Sequence, residues 1–315
     1  MGSVQQKRYW WRHLWLIGVA LYLVALWFIG WDKLRAAITG INLYWFAATV
    51  VVLFAAQWLR ALKWLYALGP RRNAIGIHFL SKAAGEWSPG RMGEFAPLLM
   101  PAHRNARVGA WIAVDRLLEM TGTLALGIVG FAGLQFANRR VMLGLAAAVM
   151  VCIVLAFYAL SRRSLFERLA LRFPEGTRRR RIGVMLTAMS HEVRLSFAKL
   201  PVTGSLTLIA CLLDLLVAYL LLGSFGYPLG FYLLAAGKCL HALVAALPVT
   251  PNATGVPFFT TAVLFHEVAG VPEGVLAAVI GLSIVITNLV FWSSFGLGAL
   301  DMRRRPAPLA EPSKD

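Results

Sequence analysis

Residues 81–94 interrupt an otherwise oily chain with charge, glycine and proline: Lys82, Glu86, Pro89, Gly90, Arg91, Gly93 and Glu94 fall within fourteen positions. They follow an apolar run and precede a stretch bounded by Pro97 and Pro101. Proline has no N–H to give a helix interior and its ring clashes with the preceding turn, so no straight transmembrane helix can pass through. The four charged side chains are costly in hydrocarbon unless they pair or line a wet cavity. Irregular backbone at membrane depth persists only where protein or water covers it. The segment reads as a re-entrant hairpin, 75–101, lining a polar site.

Composition fixes the solvent. Hydrophobic residues make up 59% of the 315 positions and charged residues 14%, whereas soluble domains run at about 45–50% and 25%. The chain is an integral membrane protein. Its formal net charge of +17 would suggest nucleic acid in a soluble protein. Here the basic residues cluster at the ends of apolar runs, as the positive-inside rule requires, and no nucleic-acid partner is expected. Cys152, Cys211 and Cys239 lie in apolar segments without metal or disulfide spacing, so neither metal nor cofactor is expected. Lys7, Arg8 and Arg12 precede the first apolar run, but bulky residues follow where a cleavage site would stand. That run is expected to be a retained span.

Apolar runs cover 14–30, 43–59 (continuing helically to 68), 108–136, 141–160, 206–222, 231–247, 258–269 and 275–300. They predict an all-α integral membrane protein with about six to eight transmembrane helices, each of about 20 residues. Trp10, Trp11, Trp31, Tyr44, Trp64 and Tyr227 near the ends read as interfacial belts. With the N-terminus in the cytoplasm and 75–101 returning to the side it entered, the basic residues sort by side. Lys7, Arg8, Arg12, Arg60, Lys63, Arg71, Arg72, Arg104, Arg107, the 162–199 segment and 303–305 fall inside. Lys33, Arg35, Arg139 and Arg140 fall outside. A second hairpin, 231–271, entering from outside, is needed to bring the C-terminal arginines back.

The expected organisation is a first membrane half at 1–160, a basic cytoplasmic loop at 161–203, a second half at 204–302 and a cytoplasmic tail at 303–315. The hairpins share a Ser/Thr-Pro-x-x-x-Gly pattern, Ser88 to Gly93 and Thr250 to Gly255, and each precedes a long helix. Entering from opposite faces, they would form an inverted repeat with the site between the halves. In the loop, a polybasic run at 178–181 precedes Ile182, Met185, Met189, Val193, Phe197 and Leu200 at helical spacing. This predicts an amphipathic helix on the inner leaflet, either a plain topological anchor or, over 178–200, a contact for anionic lipid.

The candidate substrate-binding residues are the intramembrane ionisable ones and the two tips: Lys82, Glu86, Arg91, Gly93, Glu94, Asp115, Arg116, Glu119, Asp214, Lys238, His241 and Asn252. Lys82 and Glu86 share a helix face, as do Asp115 and Glu119, while Arg116 points about 100° away. Glycines at the first tip would expose backbone N–H groups to an anionic headgroup. The structural alternative is internal neutralisation, with the hairpin charges pairing to Asp115, Glu119 and Asp214. Asp115, Arg116 and Glu119 are expected to act as one coupled cluster in which Asp115 and Arg116 interact. No nucleophile elbow, phosphate-binding loop or zinc motif is present in the sequence.

At these residues the chain resembles the lysylphosphatidylglycerol synthase transmembrane region family, a flippase-like membrane domain. Pro89, Gly90, Arg91, Gly93 and Glu94 match its Pro-Gly-Arg-x-Gly-Glu tip, and Asp115, Arg116 and Glu119 match its acidic-Arg-x-x-acidic cluster with the two acids exchanged. The likeness runs from about residue 14 to 300. Where the family has Gly-Val-x-Glu after the second turn, Gly255 and Val256 are followed by Pro257 and Phe258, so the carboxylate is missing. The resemblance implies translocation of a lipid or lipid-linked headgroup between leaflets. The expected reading is an inner-membrane translocase of a lipid or polyprenyl-linked lipid, and the charge asymmetry places both termini in the cytoplasm. The aminoacyl-transferring domain of the full-length synthases is not expected, nor is synthesis of lysyl-lipid. The alternatives are a membrane-embedded transferase acting on lipid-linked substrates and an accessory subunit of an envelope-lipid pathway.

Overall fold

The computed structural model describes residues 38–69, 73–86, 88, 92–100, 105–136, 138–245 and 256–304, with Trp27, Asp32 and Arg35 ahead of them. Backbone alone is described at Glu86, Met92, Arg178, Val256, Gly298, Ala299 and 301–304. Among the described residues there are ten α-helices and no strand. In chain order they are α1 (Leu43–Leu68), α2 (Ala74–Glu86), α3 (Ala106–Gly133), α4 (Arg139–Ser161), α5 (Arg163–Leu171), α6 (Arg178–Ser196), α7 (Leu200–Ser224), α8 (Phe231–Ala245), α9 (Val256–Ala269) and α10 (Glu273–Arg304). A 3-10 stretch, Met92–Leu99, follows α2. The expected first span, 14–30, lies outside the described residues, except for Trp27.

Local sequence sets the helix starts. Asn42 closes the first turn of α1 by accepting from the N–H groups of Tyr44 and Trp45 at 3.0 and 3.3 Å. Asn105 caps α3 by accepting from Val108 N–H at 2.8 Å, and Thr177 caps α6 through Arg180 N–H at 3.3 Å. Each side-chain oxygen satisfies a donor that the helix itself leaves open. Asn42 N–H also donates to the Ser224 carbonyl at 2.8 Å, tying the start of α1 to the end of α7. The two helices therefore run antiparallel along each other.

Four stretches among the described residues are long and apolar enough to cross a membrane: Leu43–Leu68, Arg139–Ser161, Arg179–Ser224 and Glu273–Leu297. At 28 residues, α3 is also long enough, about 42 Å. Its first half carries Arg107, Asp115, Arg116 and Glu119, which lower its hydropathy. Where the two hairpins are expected, α2 packs on the 3-10 stretch and α8 on α9, while both tips, Ser88 aside, lie outside the described residues. Over the described residues, none of these arms reaches the 20 residues that a hydrocarbon core of about 30 Å demands.

The packing repeats. α1 lies along α7, α3 packs on α8 and on α7, and α10 packs on α2 and on α1. Exchanging α1 with α7, the first hairpin with the second and α3 with α10 maps this set of neighbours onto itself. Each hairpin thus packs on the long helix that follows the other. The fit of α8 on α3 is so close that a Cβ at Gly130 would fall 2.6 Å from Ala236 N and 2.7 Å from Tyr232 O. Only glycine permits that approach.

Apolar clusters flank the centre on both sides. One joins Trp64, Ile77, Val108, Trp111 and Ile112 to Met189 and Val193 of α6. Another joins Leu215 and Leu222 to Leu233, Phe265 and Leu276. The α6 stripe therefore divides its apolar residues: Met189 and Val193 bury against protein, while Ile182 and Met185 remain exposed. Part of the stripe thus packs on protein. Cys211 and Cys239 are buried as expected of small core hydrophobes, whereas Cys152 sits exposed on α4.

Candidate functional site

Between the apolar clusters, five helices and the 3-10 stretch bring nine charged side chains together. Arg60 and Lys63 come from α1, Lys82 from α2, Glu94 from the 3-10 stretch, Asp115, Arg116 and Glu119 from α3, Asp214 from α7 and Lys238 from α8. Glu119 is the hub. Its carboxylate lies 2.8 Å from Lys82 Nζ, 3.3 Å from Arg60 Nε, 3.7 Å from Arg116 Nη1 and 3.9 Å from Lys63 Nζ. Buried charges must be paired and hydrogen-bonded to persist, and this arrangement pairs every one of the nine.

The pairs form a continuous path between the two hairpins. Glu94 stands 3.8 Å from Lys82, which reaches Glu119. Glu119 holds Arg60, Arg60 Nη2 donates to Asp214 Oδ2 at 2.7 Å, and Asp214 holds Lys238 Nζ at 3.1 Å. Arg116 braces the first hairpin with a second contact, 3.5 Å from Glu94. Ser81 Oγ donates to the Glu94 carbonyl at 2.6 Å, fixing the 3-10 stretch to α2.

Asp115 belongs to a separate and drier corner. It pairs with Lys63 Nζ at 2.5 Å and accepts from Trp64 Nε1 at 2.9 Å, while Lys63 also donates to Thr207 Oγ1 at 3.0 Å. The expected coupling of Asp115 with Arg116 is corrected on this point. Neighbours in sequence on a helix point apart, and Arg116 turns to Glu94 and Glu119 instead.

A cavity of about 420 Å³ opens on the network, within the range of small-molecule sites. Its charged band is formed by Arg60, Lys82, Arg116, Glu119, Asp214 and Lys238, with His241 one turn beyond Lys238. Leu53, Leu221, Leu222, Val279, Ile280 and Phe291 form an apolar wall. Leu53 precedes Arg60 by two turns of α1, and Leu221 follows Asp214 by two turns of the antiparallel α7. The oily part therefore lies to one side of the charged band. The two most exposed charges of the network are both cations. The Lys238 and Arg116 side chains are 40% and 29% exposed, while no carboxylate of the network exceeds 14%. The cavity offers Lys238 and Arg116 most openly to a ligand, while Arg60, Lys82, Glu119 and Asp214 are more buried parts of its lining.

Of the twelve sequence-predicted residues, Lys82, Glu94, Asp115, Arg116, Glu119, Asp214 and Lys238 meet in this network. His241 stacks edge-on against Phe258 with ring centroids 4.8 Å apart. Gly93 is close to the site but serves packing. Its N–H donates to Ser88 Oγ at 2.6 Å, and a Cβ there would lie 2.0 Å from the Ala84 carbonyl oxygen. Arg91 and Asn252 lie outside the described residues, as does the Glu86 side chain. Gly93→Ala is expected to lower the apparent melting midpoint in detergent by pushing the 3-10 stretch off α2. An unchanged midpoint would show that the hairpin tolerates a wider spacing.

Three residues of the site escaped the sequence reading. Arg60 and Lys63 count there as cytoplasmic flanking charges and Trp64 as an interfacial aromatic. The structure buries all three at 9%, 0% and 1% exposure. The available signal was their spacing: positions 60, 63 and 64 share one face of a helix that runs on to Leu68. His78, also fully buried, stacks on Trp64 at 5.3 Å. No group of three metal-ligating side chains forms among the described residues.

A sequence model of the family described as lysylphosphatidylglycerol synthase TM region matches residues 15–293. No curated protein and no solved structure matches.

Proposed function

We propose that this chain, which belongs to the lysylphosphatidylglycerol synthase TM region family, moves a lipid or lipid-linked headgroup between the leaflets of the inner membrane. The observation that carries the reading is the amphipathic cavity, in which one charged band joins both hairpins and continues into an apolar wall. A lipid needs such a surface, since its head must be met by charge while its chains stay in oil. The cations on offer favour an anionic head, such as a phosphate or polyprenyl-linked phosphate.

In this reading the symmetric packing is an inverted repeat, the hairpins are re-entrant and both termini are cytoplasmic. The ion-pair path then supplies the switch. A headgroup anion that engages Lys238 competes with Asp214, and Asp214 in turn shares Arg60 with Glu119. Loading at one hairpin would loosen the pairing that holds the other, opening the groove to the opposite leaflet. Differential binding to two arrangements is what any such transition requires.

The test is reconstitution into phosphatidylcholine vesicles carrying a trace of fluorescent phosphatidylglycerol, with leaflet exchange read by a membrane-impermeant quencher. The protein should accelerate exchange of the anionic probe over the zwitterionic one. Lys238→Gln should slow it by about tenfold, the loss of one charge-assisted contact, with little effect on stability because the side chain is partly exposed. Equal exchange with wild-type protein and empty vesicles would remove the proposal.

A further inference from the structure

We propose that a second, separate site binds the phosphate of an anionic phospholipid in the basic pocket where α4, α5 and α6 meet. The pocket measures about 390 Å³ and is lined by Arg162, Arg163, Ser164, Glu167, His191 and Arg194, among others. None of these residues belongs to the central network. Three guanidiniums face one carboxylate, and that carboxylate is engaged by Arg163 Nε at 2.5 Å. Arg162 is oriented by Tyr158, with its guanidinium 4.4 Å above the ring and a hydrogen bond to the phenol oxygen. Arg194 and His191 make no side-chain hydrogen bond or ion pair among the described residues. Planar guanidiniums present paired donors that match phosphate oxygens. α5 also begins here with no side chain capping it, although Leu165 N–H is already taken by the Arg162 carbonyl at 3.1 Å; a helix start favours an anion.

The surroundings select a lipid phosphate over a soluble one. α4 is the candidate span with the least burial, 11% of its apolar window. Val151, Val154, Leu155 and Tyr158 are each more than half exposed. They follow one another at helical spacing on one face, and that face leads to Arg162. An acyl chain lying along this stripe would place its headgroup in the pocket. The proposal differs from the expectation that the 178–200 segment meets anionic lipid as a whole. It uses the α4–α5 junction with only the end of α6, and none of the 178–181 run.

The experiment is native mass spectrometry of the detergent-purified full chain, titrated with short-chain phosphatidylglycerol or phosphatidylcholine. Arg162→Ala combined with Arg194→Ala should weaken retention of one phosphatidylglycerol by about tenfold or more, leaving phosphatidylcholine unchanged. Arg139→Ala with Arg140→Ala, at the other end of α4, removes the same charge and should change nothing. Glu167→Gln frees Arg163 and should tighten retention. Glu175→Gln, at the far end of the α5–α6 hairpin where it pairs with Arg180 at 2.6 Å, should not. Wild-type retention in the double arginine variant would overturn the site, as would equal responses to the two glutamine variants, which would indicate general surface charge. Inorganic phosphate that displaces phosphatidylglycerol at equal concentration would overturn the lipid assignment and give the pocket to free phosphate.

Discussion

Lys63→Ala is expected to be among the most destabilising single substitutions in this protein, costing about 3–5 kcal/mol, the range for breaking one side of a buried ion pair. The lysine has no exposed surface, and its ammonium group is shared by Asp115, Thr207 and Glu119. Truncation would leave the Asp115 carboxylate, itself 2% exposed, with a single hydrogen bond from Trp64. The penalty comes from the orphaned charge more than from the lost attraction, so the second substitution Asp115→Asn should return part of it. The check is a double-mutant cycle on thermal unfolding in mild detergent, with a coupling energy of about 1–3 kcal/mol expected for contacting residues. Strict additivity would show that the pair contributes nothing. The same cycle on Asp115 and Arg116 should be close to additive, because the two side chains face different partners.

Glu119→Gln should affect both stability and the proposed leaflet exchange. The substitution keeps the shape of the side chain and removes the charge that four cations share. Of the nine charges in the network, five are cations and four are acids; without Glu119, three acids remain to hold the five cations. Repulsion among Arg60, Lys82 and Arg116 then opposes closure, and a loss of about 3–5 kcal/mol is expected. Lys82→Met should partly restore the fold by removing one uncompensated cation, without restoring leaflet exchange, since the path between the hairpins would stay cut. Thermal unfolding and vesicle exchange on the single and double variants separate these effects. A Glu119→Gln protein as stable as wild type, with no response to Lys82→Met, would show that Glu119 is not the hub. Arg116→Ala is the natural comparison: its side chain is partly exposed, so its loss should cost about 1 kcal/mol or less.

Much of this protein was legible in one dimension. Apolar length and composition demand membrane helices, because no other arrangement except a closed barrel satisfies a backbone in oil. Proline, glycine and charge between 81 and 101 forbid a straight span there. Lys82, Glu94, Asp115, Glu119, Asp214 and Lys238 stood out because an ionisable residue in an apolar run requires an explanation. Arg60 and Lys63 did not, because the positive-inside rule already gave a sufficient reason for basic residues near the end of α1.

Who pairs with whom was decided only by the tertiary structure. Lys63 meets Asp115 across 52 positions, and Arg60 meets Asp214 across 154. Such partners are set by how α1 packs between α3 and α7, and helical spacing within one segment carries no information about that. The same holds for the exposure that makes Lys238 and Arg116 the most accessible charges of the network. Sequence specified which charges had to be neutralised. The packing of the helices determined which neutralise one another and which remain available to a ligand, because electrostatic pairing depends on distance in space and burial, and neither is a property of position along the chain.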